Sequence, residues 1–136
     1  MTGFRVESVR INTSLEKAFQ YIAAPQNLPH WTHAFQSVRN GTAVMATPAG
    51  TVEVNLGVRG SQTDSTIDWR MTFPDGTVAS AFSRLIPEGR EACIYSFVLL
   101  APPVALEQLE GALDEQARIL REELLKLSEI LSRKRD

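Results

Sequence analysis

The sequence predicts an α+β domain in which an antiparallel sheet of about seven strands curls around a long C-terminal helix. Three observations predict it. Leucines and other apolar residues recur at intervals of three and four through residues 104–133 (Leu106, Leu109, Leu113, Ala117, Leu120, Leu124, Leu127, Leu131), the signature of a helix with one apolar stripe. Before it, apolar and polar residues alternate in short runs separated by Gly, Pro, Asn or Asp every 8 to 12 residues or so, the spacing of an antiparallel meander. Near the N-terminus a helical pattern is inserted after the first alternating run. The resulting order is strand, two helices, six strands, long helix.

Residues 4–11 alternate as a strand. Thr13 and Glu16 have the three-residue spacing of a capping box, which predicts the start of a helix whose buried face is Leu15, Ala18, Phe19 and Ile22. Pro25 ends it, because proline lacks a donor and clashes with the preceding turn. A second, short helix is expected over 26–30, interrupted by Pro29. Strands follow at 33–39, 43–47, 51–59, 65–73, 77–86 and 91–100. Their separators, such as Asn40-Gly41, Pro74-Asp75-Gly76 and Pro87-Glu88-Gly89, hold residues that preset or tolerate turn dihedrals. Pro102-Pro103 blocks further strand and opens the last helix, which at about 30 residues would be about 45 Å long. Its stripe must be buried against the sheet, and a large sheet twists and curls, so a hollow between the two is expected.

At 136 residues the chain suits one domain, residues 1–136, with 43% hydrophobic residues to build a core. A net charge of -2 argues against a nucleic-acid binder. Cys93 is the single cysteine, so no internal disulfide forms; in the apolar run 92–100 it reads as a buried thiol. Phe4, Arg5, Val6 and Glu7 alternate rather than form an apolar block, so no signal peptide is expected. No stretch is apolar enough for membrane insertion, and a cytoplasmic location is the default.

The segment Leu15-Glu16-Lys17-Ala18-Phe19-Gln20-Tyr21-Ile22-Ala23-Ala24-Pro25-Gln26-Asn27-Leu28-Pro29-His30-Trp31, leading from a first strand into the next, resembles the START-like (SRPBCC) superfamily. It is most similar to the polyketide cyclase/dehydrase and lipid-transport branch, and the long helix after a proline break matches too. The resemblance covers essentially the whole chain. It implies the helix-grip fold. Members include cyclases and dehydratases as well as carriers of lipids, hormones and quinones.

Three groups of residues are candidates for chemistry. If residue 31 begins a strand, Trp31, His33 and Phe35 share one face by the period of two, and the resemblance implies that this face looks into a cavity mouth. His33 then reads as a structural histidine, a ligand contact, an acid–base group or a metal ligand. The chain has only two histidines, however, and no metal set or cofactor is expected. In residues 65–73, Ile67, Trp69, Met71 and Phe73 form an apolar face, with Asp68, Arg70 and Thr72 opposite. The turn at 74–76 would pair Phe73 with Thr77, setting Asp68 against Phe82 and the apolar face against Ala79, Ala81 and Ser83. Asp68 and Arg84 are either an exposed cross-strand pair, worth about 0 to 1 kcal/mol, or the strong charges of a pocket. Val52, Val54, Leu56 and Val58 pair with Tyr95, Phe97 and Leu99 as alternating runs expected on neighbouring parts of the sheet. The leading expectation is a cavity for a small hydrophobic or aromatic molecule, lined by Trp31, His33, Phe35, Val54, Leu56, Trp69, Met71, Tyr95, Phe97, Leu109 and Leu113. The alternatives are a cyclase/dehydratase-like enzyme using His33 with Asp68 or Arg84, and an interaction module or homodimer using Ile119, Leu125 and Ile130.

Overall fold

The computed structural model describes residues 3–47, 50–101 and 113–132. The elements run β1 (Phe4–Ile11), α1 (Leu15–Ile22), a 3-10 turn (Pro25–Asn27), α2 (Leu28–Trp31), β2 (Phe35–Arg39), β3 (Thr42–Thr47), β4 (Gly50–Ser61), β5 (Thr66–Thr72), β6 (Val78–Pro87), β7 (Cys93–Leu100) and α3 (Leu113–Ser132). The strands form one antiparallel sheet in the order β1-β7-β6-β5-β4-β3-β2. Strands β1 and β2 are thus opposite edges, and the α1–α2 segment bridges them across one face. This is the α+β helix-grip plan expected from the pattern.

Local chemistry explains most elements and several differences from expectation. Helix α1 is capped by Ser14, whose hydroxyl accepts from the Lys17 N–H at 3.2 Å; Thr13, the expected cap, is itself buried. The first helix ends at Ile22, before Pro25, and the proline opens the 3-10 turn instead, where its missing N–H costs nothing. Asn40 and Gly41, with φ of 52° and 81°, make the tight β2–β3 hairpin that only such residues adopt readily. At Gly60 an added Cβ would lie 3.3 Å from Phe19 Cζ, so the missing side chain lets α1 settle on β4. The β5–β6 hairpin has the anticipated register, with Asp68 opposite Phe82, Trp69 opposite Ala81 and Met71 opposite Ala79.

Two expectations are corrected. Trp31 belongs to α2, not to a strand, because the turn Thr32 N–H to Leu28 O closes the helix and β2 starts only at Phe35. The strands β4 and β7 are not neighbours, since β5 and β6 intervene; hairpin-by-hairpin pairing orders β2 to β7 as the chain does. For the C-terminal helix, residues 113–132 are helical, while 102–112 and Arg133 lie outside the described residues.

Helix α3 rests along the edge strand β1 and touches β7 only lightly. Polar bonds tie it to β1 and to Asn12 just after the strand. Arg5 bonds Asp114, Arg121 bonds Glu7 at 3.0 Å, the Ser128 hydroxyl donates to Arg10 O at 2.7 Å, and Asn12 N–H donates to Ser132 Oγ at 3.2 Å. The C-terminal half of the stripe, Leu124, Leu127 and Leu131, joins Ile11, Ile67, Leu85, Cys93 and Tyr95 in a closed core. Leu125 stands out in solvent at 65% exposure, and Ile130 packs against the core.

Candidate functional site

Under the N-terminal half of α3 the two layers separate. A cavity of about 310 Å³ opens there, between α3, α2 and the concave face of the sheet. Strand alternation supplies its floor. On β5 and β6, Trp69 and Met71 face inward against Ala79 and Ala81, and on β7 Phe97 and Leu99 do the same. Leu56 comes from β4. The α2–β2 corner adds Leu28, Trp31, Ala34 and Phe35. A bulge between Phe35 and Ser37 shifts the register of β2 beside its inward-facing Phe35. Helix α3 contributes Gln116, Ile119, Leu120 and Glu123, the i, i+3, i+4, i+7 face of one stripe. At the other rim stand Val78, Leu100 and Ala101.

The wall is apolar with few polar groups. Thr32 donates its hydroxyl to Leu28 O at 2.7 Å. Gln116 is 5% exposed, a buried amide in an otherwise apolar stripe. The Glu123 carboxylate accepts the His33 backbone N–H at 2.7 Å, tying the α2–β2 corner to α3. Both tryptophans of the chain line the cavity, and both indole N–H groups are buried without a hydrogen-bond partner of acceptable geometry among the described residues. Trp69 Nε1 does lie near enough to the Tyr95 hydroxyl to favour the anionic form slightly. Burial dominates there: it holds the Tyr95 phenol well above its ordinary value, so the group is a neutral donor. That hydroxyl donates to Ser83 Oγ at 2.9 Å, and Ser83 donates to Ile67 O at 2.6 Å. The chain of bonds fixes β5, β6 and β7 beneath Trp69.

Of the residues singled out in the sequence, Trp31, Phe35, Leu56, Trp69, Met71 and Phe97 come together around the cavity. Val54 and Tyr95 are buried in the core and do not line it. Leu113 lies beside Gly3, and Leu109 is outside the described residues. The His33 side chain is 48% exposed, with Nε2 3.8 Å from Glu122 Oε1, next to the cavity rim but not in its wall. Asp68 and Arg84 sit on the outer face of the sheet, alternate to Trp69 and Ser83, and no ion pair joins them among the described residues. The three groups proposed for acid–base work therefore do not converge. Cys93 is fully buried, and burial pushes its thiol up, as a structural thiol requires. Gln116 and Glu123 were not singled out. Gln116 had a signal, a polar residue three and four positions before Ile119 and Leu120 in the leucine stripe; Glu123 had none beyond its place beside that stripe. Among the described residues no cluster of three or more His, Cys, Asp or Glu gathers as a metal site, and no helix is long and apolar enough to cross a membrane.

Comparison with solved structures decides the fold. A START superfamily protein from Mycobacterium smegmatis superposes with a TM-score of 0.71 at 11% identity, covering 96% of this chain and 97% of that one. The Zhui aromatase/cyclase from Streptomyces sp. R1128 gives 0.67 at 9% identity, covering 98% and 96%. This is a START-like fold. A norcoclaurine synthase point mutant from Thalictrum flavum, in complex with a transition-state analogue, shares it at a TM-score of 0.57 and 14% identity, covering 93% and 96%. No protein-family model matches the chain, and no curated protein does. The START-like fold thus comes here with a cavity under its grip helix, and identities this low carry shape rather than activity.

Proposed function

We propose that this protein binds a small hydrophobic or aromatic molecule in the cavity between the sheet and the C-terminal helix. The observation that carries the reading is the cavity itself: about 310 Å³, walled by Trp31, Phe35, Trp69, Met71 and Phe97, with few polar groups. Pockets for small ligands are built this way, apolar for affinity and sparsely polar for orientation. A START-superfamily protein and an aromatase/cyclase share the fold, in keeping with a hollow that takes ring-bearing molecules. A cyclase/dehydratase-like reaction using His33 finds less support, because Asp68 and Arg84 lie on the outer face of the sheet, away from His33 beside the cavity rim.

The test exploits the two tryptophans, which report on the cavity because both line it. Naphthylethanol, a neutral two-ring probe, is expected to change their emission saturably. Ala81→Leu puts a branched side chain opposite Trp69 and into the hollow. It should weaken probe binding at least about tenfold while stability changes by less than about 1.5 kcal/mol, since the added bulk enters space rather than a filled core. No saturable change with the wild-type protein, or equal binding by the variant, would overturn the reading.

A further inference from the structure

A buried donor in the cavity wall narrows the ligand class, an inference that rests on the binding function just proposed and deepens it. Trp31 lines the cavity from α2 at 2% exposure, and Trp69 lines it from β5 at 7%. An indole N–H can only donate. Shut away from water with no acceptor, it forfeits the bond it made to water in the unfolded chain. Folded interiors leave few such groups, so each one calls for a reason. The two tryptophans differ in what lies beside them. Trp69 Nε1 has the Tyr95 oxygen close by, though at poor geometry. Trp31 Nε1 has no acceptor among the described residues. The Leu28 carbonyl, one turn back on the same helix, is already taken twice, by the Thr32 N–H at 2.9 Å and the Thr32 hydroxyl at 2.7 Å. Leu28, Ala34 and Phe35, which share this corner of the wall, bring only apolar side chains.

What the chain leaves out, a guest can bring. We infer that the cavity takes a ring-bearing molecule with a hydrogen-bond acceptor on its ring system, a carbonyl or ether oxygen or a ring nitrogen, and that Trp31 donates its N–H to that acceptor. A plain hydrocarbon would fill the same space and leave the indole unpaired. Trp31 then serves twice, its ring as apolar wall and its N–H as the group that fixes orientation. The nitrogen is shielded from water, so the bond forms as guest and indole settle against each other, and the dry surroundings strengthen it.

The experiment uses two probes on one frame, acetylnaphthalene and ethylnaphthalene, which differ by the acceptor oxygen. Each is titrated at neutral pH into the whole chain, by calorimetry for affinity and by nitrogen-15 NMR for the two indole N–H signals, assigned by the loss of one in Trp31→Phe. A ketone costs more than a hydrocarbon to strip of water, so the quantity read is the ratio of the two affinities and its change in the variant. In the wild-type protein the ketone should move the Trp31 indole proton downfield and slow its exchange with solvent, and the hydrocarbon should do neither. Trp31→Phe keeps an aromatic wall without the donor. It should lower the ketone-to-hydrocarbon ratio roughly tenfold, the worth of one buried hydrogen bond. If that variant does not fold, the wild-type signals still decide. Two probes that bind but move the Trp31 signal alike overturn the inference and leave the cavity reading standing. A ratio that Trp31→Phe leaves unchanged does the same. Failure of both probes to bind, with the fold intact by circular dichroism, refutes the binding function itself.

Discussion

The hydroxyl chain beneath the cavity floor makes a sharp prediction. Tyr95 is wholly buried and donates to Ser83, which in turn donates to the Ile67 carbonyl. Tyr95→Phe removes one bond and leaves Ser83 with its own acceptor, so it should cost roughly 1 kcal/mol. Ser83→Ala removes both bonds and strands the Tyr95 O–H in a dry interior, so it should cost roughly 2–3 kcal/mol. In the double variant no hydroxyl remains to be stranded. The total should be roughly 2 kcal/mol, less than the sum of the single changes by about 1–2 kcal/mol. Urea melts at neutral pH measure all three, with unchanged slopes confirming a common unfolded state. Because Trp69 lies on the strand that Ser83 pins and beside the Tyr95 oxygen, its emission should shift in both single variants. Additive costs to within about 0.3–0.5 kcal/mol, or a Tyr95→Phe penalty larger than that of Ser83→Ala, would refute the account of a continuous donor chain.

Two further outcomes follow from local geometry. Ser14→Ala should cost about 1 kcal/mol in a thermal or urea melt and Ser14→Asp should recover it, because the side chain at that position caps α1; equal behaviour of both variants would return the cap to Thr13. In the β5–β6 turn the Asp75 carboxylate accepts the Thr77 N–H at 2.9 Å, and hydrogen bonds from Thr77 hold its carboxyl below the ordinary value. A depressed folded value means that the charged group stabilises above its unfolded value and that this contribution fades as pH falls through the folded one. Wild type should therefore exceed Asp75→Asn in stability at neutral pH, and the gap should close as pH drops below about 3.9, read from urea midpoints across a pH series.

How far the sequence alone reached can be seen residue by residue. The β5–β6 register was legible because Pro74-Asp75-Gly76 allows one short turn, and a fixed turn fixes every cross-strand pair behind it. The floor residues Trp69, Met71 and Phe97 followed from period two. Whether residue 31 begins a strand stays open in the sequence, because alternation with His33 and Phe35 looks the same whether or not residue 31 still belongs to a helical turn; the decisive bond, Thr32 N–H to Leu28 O, is backbone and leaves no trace in side-chain pattern. The matching of β4 with β7 failed for a related reason, since alternation reports which face a residue occupies and says nothing of which strand lies next to it. Glu123 was invisible because its role depends on a contact with a corner 90 residues away in the chain.

Why the hollow persists is a question of where the grip helix is fastened. A helix with a continuous apolar stripe would gain most by lying over the centre of the sheet, where Trp69, Phe97 and Leu99 offer apolar surface. Instead α3 is tethered to the edge strand through Asp114, Arg121, Ser128 and Ser132, which meet Arg5, Glu7 and Arg10 of β1 and then Asn12 just after it, in chain order. On its other side Glu123 ties it to the α2–β2 corner. Exposed ion pairs of this kind add little to stability, but they set position. Where large leucines follow, at Leu124, Leu127 and Leu131, the gap is filled; where α3 presents Gln116, Ile119 and Leu120 over Ala79 and Ala81, it is not. Small residues under the front half of a helix that is held at the sheet edge leave a cavity. The same fastening puts Glu123 in the cavity wall, where the bond that positions the helix also closes the α2–β2 corner against it.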